Sequence, residues 1–274
     1  MAPPAHRQGR ARTVSGRAAV SGGPGRPHDA AGGHAAPAEA FAADAQVLEE
    51  KSGQPAVVAY HRAGRAEIVK FWWPRRSRLG RLGRLPGRRQ RAFLAASRIL
   101  AEAGVPGPEI LAAGRHGAAR WVSYVHRPGR TLRQAVADGS PPPPETLAAF
   151  LLALHEAGIY FRALNLGNVL ETADGSGLAL IDVGGLRRHR RALSVRRRAR
   201  NLAAFLTHAR DIEALLGSYG QAVVSAYAAG LGDDRARFNG RLRGRITAMI
   251  RVRRRRRARR RAPPLVIERL PEGW

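Results

Sequence analysis

The sequence has no cysteine, which excludes disulfides, thiolate-bound zinc and iron–sulfur clusters and leaves packing alone to hold the core. Acidic residues are scarce. Twenty of them face 48 Lys and Arg, a net charge of +28, and that excess excludes a neutral surface and implies an anionic partner. Nucleic acid, an anionic membrane face and a phosphorylated glycolipid all answer to the same electrostatics. Aromatics make up only 6% of the chain and are not interleaved with the arginines, so base stacking has little material. No stretch approaches the roughly 18 consecutive apolar residues that cross a bilayer. The start lacks the apolar segment of a secretory signal, and the expectation is a cytoplasmic chain with no transmembrane segment. Lysine is nearly missing, confined to Lys51 and Lys70. The dominance of arginine over lysine reflects either a GC-rich genome or a use for guanidinium forks.

What is present is ample for a core: 274 residues, 44% hydrophobic, enough for one large domain or two small ones. Residues 1–43 are Ala, Gly, Pro and Arg with few large apolar side chains, and read as a disordered arm. Apolar runs at 56–60 and 67–72 flank Ala63-Gly64, a hairpin signal. Residues 94–103 read as the end of an amphipathic helix that stops at Gly104, and 110–113 and 120–125 as further strands. Thr131 caps a short helix through Val136. These place a small strand-rich lobe at 44–140. Pro141 to Pro144 then lead into a helix with Leu147, Phe150, Leu151 and Leu154 on one face, closed by Gly158. A second hairpin is expected at 168–171 and 178–182, and helices at 202–216, 219–229 and 238–250. The segment 141–250 is therefore a mostly helical lobe. The tail, 251–274, opens with nearly pure arginine at 251–261, expected to extend or fray through like-charge repulsion.

Three residues stand out chemically. Lys70 interrupts the apolar strand Ile68-Val69-Lys70-Phe71-Trp72, where its ammonium must reach solvent, pair, or meet an anion. Asp182 ends Leu180-Ile181-Asp182-Val183-Gly184, and such a carboxylate either forms a turn or holds Mg2+ with substrate phosphates. Asn168 ends Leu164-Asn165-Leu166-Gly167-Asn168, where it is a turn residue or a second oxygen ligand. Arg75, Arg76, Arg78, Arg81, Arg84, Arg88, Arg89 and Arg91 form a basic stretch, either a solvated loop or a surface for phosphorylated lipid. His155 reads as a helix-end or core histidine rather than a base.

In order and context these residues follow the kinase signature set. More closely, the run from Gly158 through Arg162, Ala163 and Asn168 to Leu170 resembles the catalytic-loop region of the lipopolysaccharide kinase family, the Kdo and core-heptose kinases and their toluene-tolerance relatives. The resemblance covers about 45–227 and includes Gly104-Val105-Pro106-Gly107-Pro108 and Asn201-Leu202-Ala203. It implies a two-lobed, protein-kinase-like α+β fold and an ATP-dependent phosphotransferase acting on a core sugar. By that resemblance Lys70 would meet the nucleotide phosphates, Asn168 and Asp182 would hold Mg2+, and Tyr124 and His126 would lie where the lobes connect, near adenine. A phosphorylated glycolipid at the inner membrane becomes the expected partner, with nucleic acid the alternative. The departures are as informative. Phe161-Arg162-Ala163 stands where the family has His-Arg-Asp, so Ala163 marks a missing proton acceptor. Phe93 and Leu94 stand near the helix glutamate that would pair the lysine, and Gly53 is the single glycine of 48–55, where a glycine-rich loop would lie. They point to a degenerate enzyme that still binds nucleotide.

Overall fold

The computed structural model describes residues 36–74, 87–259, 267, 269–271 and 274, without the Arg257 side chain. Most of the expected arm and the arginines at 75–84 lie outside the described residues. The first elements are β1 (Gln46–Lys51), β2 (Gln54–Arg62), β3 (Arg65–Trp72), helix α1 (Arg88–Glu102), β4 (Ile110–His116) and β5 (Ala119–Val125). The five strands form one antiparallel sheet in the order β1-β2-β3-β5-β4. Two of its hairpins close through two residues, Ser52-Gly53 and Ala63-Gly64, all four at positive φ. This is the turn whose twist matches the strands it joins, and it needs glycine or a tolerated substitute at both positions.

Alternation along the strands divides the sheet into two faces. Val58, Tyr60, Val69, Phe71, Ala119 and Trp121 face one way and pack with Ala36 and Ala40. Ala40 belongs to a short 3-10 turn, Ala38–Phe41, so the last residues of the expected arm instead cover this face. The opposite face carries Ile68, Lys70 and Trp72, with Val122 and Tyr124 beside them in register. It turns toward Phe93 of α1 and the main core.

The second part of the chain begins with β6 (Gly129–Thr131) and α2 (Leu132–Ala137). Thr131 accepts from the Gln134 backbone while Gln134 reaches back to Thr131, a reciprocal cap. Helix α3 (Pro144–Glu156) starts with proline at its first turn and buries Leu147, Leu151, Leu154 and His155. Then come β7 (Ile159–Phe161), β8 (Val169–Thr172), β9 (Leu178–Leu180) and β10 (Leu186–Arg188), followed by α4 (Val195–Leu206), α5 (Ile212–Leu216), α6 (Ser218–Ala229) and α7 (Arg235–Arg259). The small strands pair as β6-β8-β9 and β10-β7. The fold is thus α+β and two-lobed as expected, strand-rich first and helical after.

Two expectations change. The helix read over 202–216 is α4 and α5, interrupted where the Thr207 hydroxyl bonds back to the Ala203 carbonyl and Asp211 turns inward. The arginine run does not fray at 251. It continues α7 to Arg259, because Phe238, Leu242, Ile246 and Ile250 anchor the helix in the core and arginine itself has good helix propensity. Among the described residues no helix is long and apolar enough to cross a membrane.

Candidate functional site

The register of β3 puts Lys70 in the middle of the sheet, paired with Val57 on one side and Val122 on the other. Its side chain is 9% exposed, and a cation so enclosed needs a counter-charge. Asp182 supplies it: Lys70 Nζ donates to Asp182 Oδ1 at 2.7 Å. The Asp182 side chain is 56% exposed, so one oxygen serves the lysine while the carboxylate still meets solvent. Asp182 follows β9 with φ of 50°, a left-handed conformation that aspartate tolerates better than most residues and that often marks a working site. The second neighbour of the ammonium is the Phe93 ring, with its centroid 5.7 Å from Nζ. The aromatic residue on α1 therefore occupies the place where a carboxylate could have paired the lysine, and cation–π attraction partly replaces it.

Asn168 lies next to this pair through the backbone, since the Ile181 N–H donates to the Asn168 carbonyl. Its side-chain Nδ2 donates to the Ala163 carbonyl at 2.8 Å, which leaves Oδ1 as the oxygen able to hold a cation. Asn165 Nδ2 donates to the same carbonyl, so two asparagines fix the loop around Ala163. Ala163 and Arg162 are both exposed. A Cβ placed on Gly185 would meet the Ala163 methyl at 3.5 Å, so the alanine looks toward the segment that follows Asp182.

The loop is held from beneath by residues the sequence reading did not single out. Asp211 is buried and receives Arg133 Nε at 2.7 Å, Arg133 Nη2 at 3.1 Å and the Leu166 N–H at 3.1 Å. Arg133 Nη2 also donates to Asn165 Oδ1 at 2.9 Å, and Asn165 Oδ1 accepts the Gly167 N–H. A Cβ at Gly167 would meet the Arg133 guanidinium, so a larger residue there would have to displace that side chain from its contacts. Nothing local signals Asp211, because His208, Arg210 and Glu213 in the same run make it one more polar position of a helix.

His155 is a core residue, as its sequence context suggested. Asn201 clasps the Phe161 backbone, donating from Nδ2 to its carbonyl and accepting its N–H at Oδ1. That orientation makes His155 Nε2 the donor to Asn201 Oδ1 and leaves Nδ1 to accept the Tyr227 hydroxyl at 2.7 Å. Burial pushes the His155 pKa down to about 4, so the ring is neutral near pH 7 and serves structure. Tyr124 lies within β5 opposite Ile68, its ring 5.6 Å from that of Phe93. Burial raises its pKa, with the Asp182 charge adding to the effect, and the Phe93 ring that it meets also lies against Lys70. His126 lies just past β5, its N–H bonded to the Ala66 carbonyl. Lys70, Asp182, Tyr124 and Asn168 are thus gathered in one neighbourhood, with Arg162 and Ala163 on the adjoining loop. The β1–β2 connection, where the resemblance leads one to expect a glycine-rich loop, is the two-residue Ser52-Gly53 turn.

No family model and no curated protein sequence matches the chain. Among solved structures it is similar to the bifunctional kinase-methyltransferase WbdD, at 23% identity and TM-score 0.37 over 49% of this chain and 31% of that one. A structure of WbdD with a kinase inhibitor aligns at 17% identity and TM-score 0.40, over 66% of this chain and 44% of that one. An aminoglycoside-3'-phosphotransferase of type VIII aligns at 18% identity and TM-score 0.49, over 74% of this chain and 93% of that one. The chain spans about a third of the WbdD length it matches. At these identities and scores the likenesses carry no activity across.

Proposed function

We propose that the chain is an ATP-binding phosphotransferase of the lipopolysaccharide kinase type whose catalytic loop is degenerate, with nucleotide binding retained and transfer to a core sugar slow or absent. The observation that carries the reading is the Lys70–Asp182 contact of 2.7 Å between a central strand and a strand end. It assembles the cation for phosphate and the anion for a metal at one point. The donor set fits Mg2+: one carboxylate and one amide oxygen, Asp182 and Asn168, leave the remaining positions to phosphate oxygens and water, as this ion prefers. Bound ATP–Mg2+ would supply the phosphoryl group and neutralise its charge. For their part, Lys70 orients the phosphates and Tyr124 with Phe93 walls the site.

The acceptor would be a phosphorylated glycolipid, met at an anionic membrane surface, for which the +28 charge is the support. Proton removal from its hydroxyl has no evident agent, because Ala163 carries no acceptor and the carboxamide of Asn165 has no useful basicity. The test is thermal shift and calorimetric titration with ATP, with and without Mg2+, on the parent and on Lys70→Ala, Asn168→Ala and Asp182→Ala. Binding to the native state raises its stability by mass action. Weaker Mg2+-dependent binding in the variants is expected, and unchanged affinity in all three overturns the site.

A further inference from the structure

Helix α7 takes no part in the proposed nucleotide site, and among the described residues its surface is unlike any other. Over 25 residues it holds twelve arginines and no carboxylate. Phe238, Leu242, Ile246 and Ile250 form the seam that packs on the core, with half-buried Arg253 at its far end. At 3.6 residues per turn, Arg237, Arg241 and Arg245 recur every fourth position on the outward side, and Arg251, Arg255 and Arg259 resume the same line. All six are exposed, and they extend over about 33 Å of helix. Arg243 and Arg256, also exposed, widen the cationic surface to about 220° of the circumference. Beyond Ile250 the helix carries exposed positions on nearly every side.

We infer that α7 is a docking rod for the phosphate backbone of duplex DNA, its arginine-covered end entering the major groove. The shape of the charge selects this occupant. A flat anionic bilayer meets only the part of a rod that faces it, whereas a groove has phosphates along both walls and engages arginines on opposite flanks. The major groove, about 12 Å wide, admits an α-helix, and guanidinium forks suit phosphate oxygens. Membrane-surface helices rely on an apolar face sunk below the headgroups, but the apolar seam of α7 is already spent on the core. A single strand would need aromatics for its bases, and the one aromatic residue of α7, Phe238, is buried. An RNA duplex has a major groove too deep and narrow for such entry. Arg237 is partly engaged by Asp234 at 3.6 Å, so the contribution of the distal turns should dominate.

The experiment uses the full chain and a mixed-sequence 30-base-pair duplex in fluorescence anisotropy over a salt series, with phosphatidylserine vesicles as a parallel arm. Replacing Arg251, Arg255, Arg256 and Arg259 together by Gln should lower the slope of log K against log salt by about 3 to 4 and weaken binding at least about 100-fold near 0.1 M salt. Replacing the same four by Lys should keep most of the slope, and circular dichroism confirms that both variants retain helix. Parent-like duplex affinity and slope in the Gln variant would overturn the inference, as would a parent that binds the vesicles but not the duplex. Lys70→Ala should leave duplex binding unchanged, so this result and the nucleotide result stand or fall separately.

Discussion

Lys70 Nζ and Asp182 Oδ1 lie 2.7 Å apart although 112 positions separate them in the chain, and their unequal exposure makes the pair asymmetric. Lys70 is enclosed while Asp182 is half open, so each deletion leaves a different remainder. Asp182→Ala strands a buried ammonium beside the Phe93 ring and should cost about 1–3 kcal/mol. Lys70→Met leaves a carboxylate that solvent can reach and should cost less than about 1 kcal/mol. Both should lose Mg2+-dependent nucleotide affinity. Urea unfolding of the two variants, read beside ATP titration, checks the order.

His155 makes stability depend on pH. Its folded pKa of about 4 lies below the ordinary 6.5 because burial disfavours the charged ring, so between those values the unfolded chain binds a proton that the folded one refuses. Stability contributed here is therefore complete above about pH 6.5 and lost as pH falls toward 4, by an amount of order 3 kcal/mol. His155→Gln should be less stable at pH 7 but show a flatter profile from pH 7 to 5. A profile parallel to the parent would mean that His155 titrates normally.

The loop around Asn165 should be sensitive to its buried anchor. Asp211→Ala leaves the Leu166 N–H without its acceptor and takes the counter-charge from the Arg133 guanidinium, which keeps its bond to Asn165 Oδ1; with Arg133 partly exposed, the loss should be about 1–3 kcal/mol. Because Arg133 has then lost its counter-charge, adding Arg133→Ala should cost less than its single-variant effect suggests. A double-variant cycle in chemical denaturation measures this coupling, and simple additivity would mean that the two residues act independently.

Much of this framework was legible locally. Ala63-Gly64 between apolar runs gave the β2–β3 hairpin, Thr131 gave its cap, and Pro144 with the leucine spacing gave α3, because in each case the deciding physics lies within a few residues. Strand β1 was missed because its residues are nearly all exposed, leaving no buried alternation to read. The inward turn of Asp211 depends on Arg133, 78 positions away, and no local pattern announces it. In the candidate site Lys70, Asn168 and Asp182 stand out of keeping with their surroundings in the sequence, whereas the helical state of the arginine run depends on the apolar seam that precedes it in the same helix and not on its own charge.

Ala163 is the position at which the proposed chemistry can be tested. Its carbonyl is held by both Asn165 and Asn168, so the backbone is already fixed. Its side chain is exposed and borders Gly185, so a carboxylate fits without burial. Phosphoryl transfer draws most of its acceleration from positioning and metal electrostatics, and a base adds about 10²- to 10⁴-fold. Ala163→Asp should therefore raise phosphate transfer to a lipopolysaccharide-type acceptor by up to that factor, with ATP affinity unchanged, as measured by radiolabel incorporation. Inactivity equal to the parent would move the defect to Phe93, which stands beside the lysine where a carboxylate would orient it, and Phe93→Glu combined with Ala163→Asp is then the variant that should recover activity. Robust turnover by the parent, abolished by Asp182→Ala and indifferent to Ala163→Asp, would instead show that the proton leaves by another group.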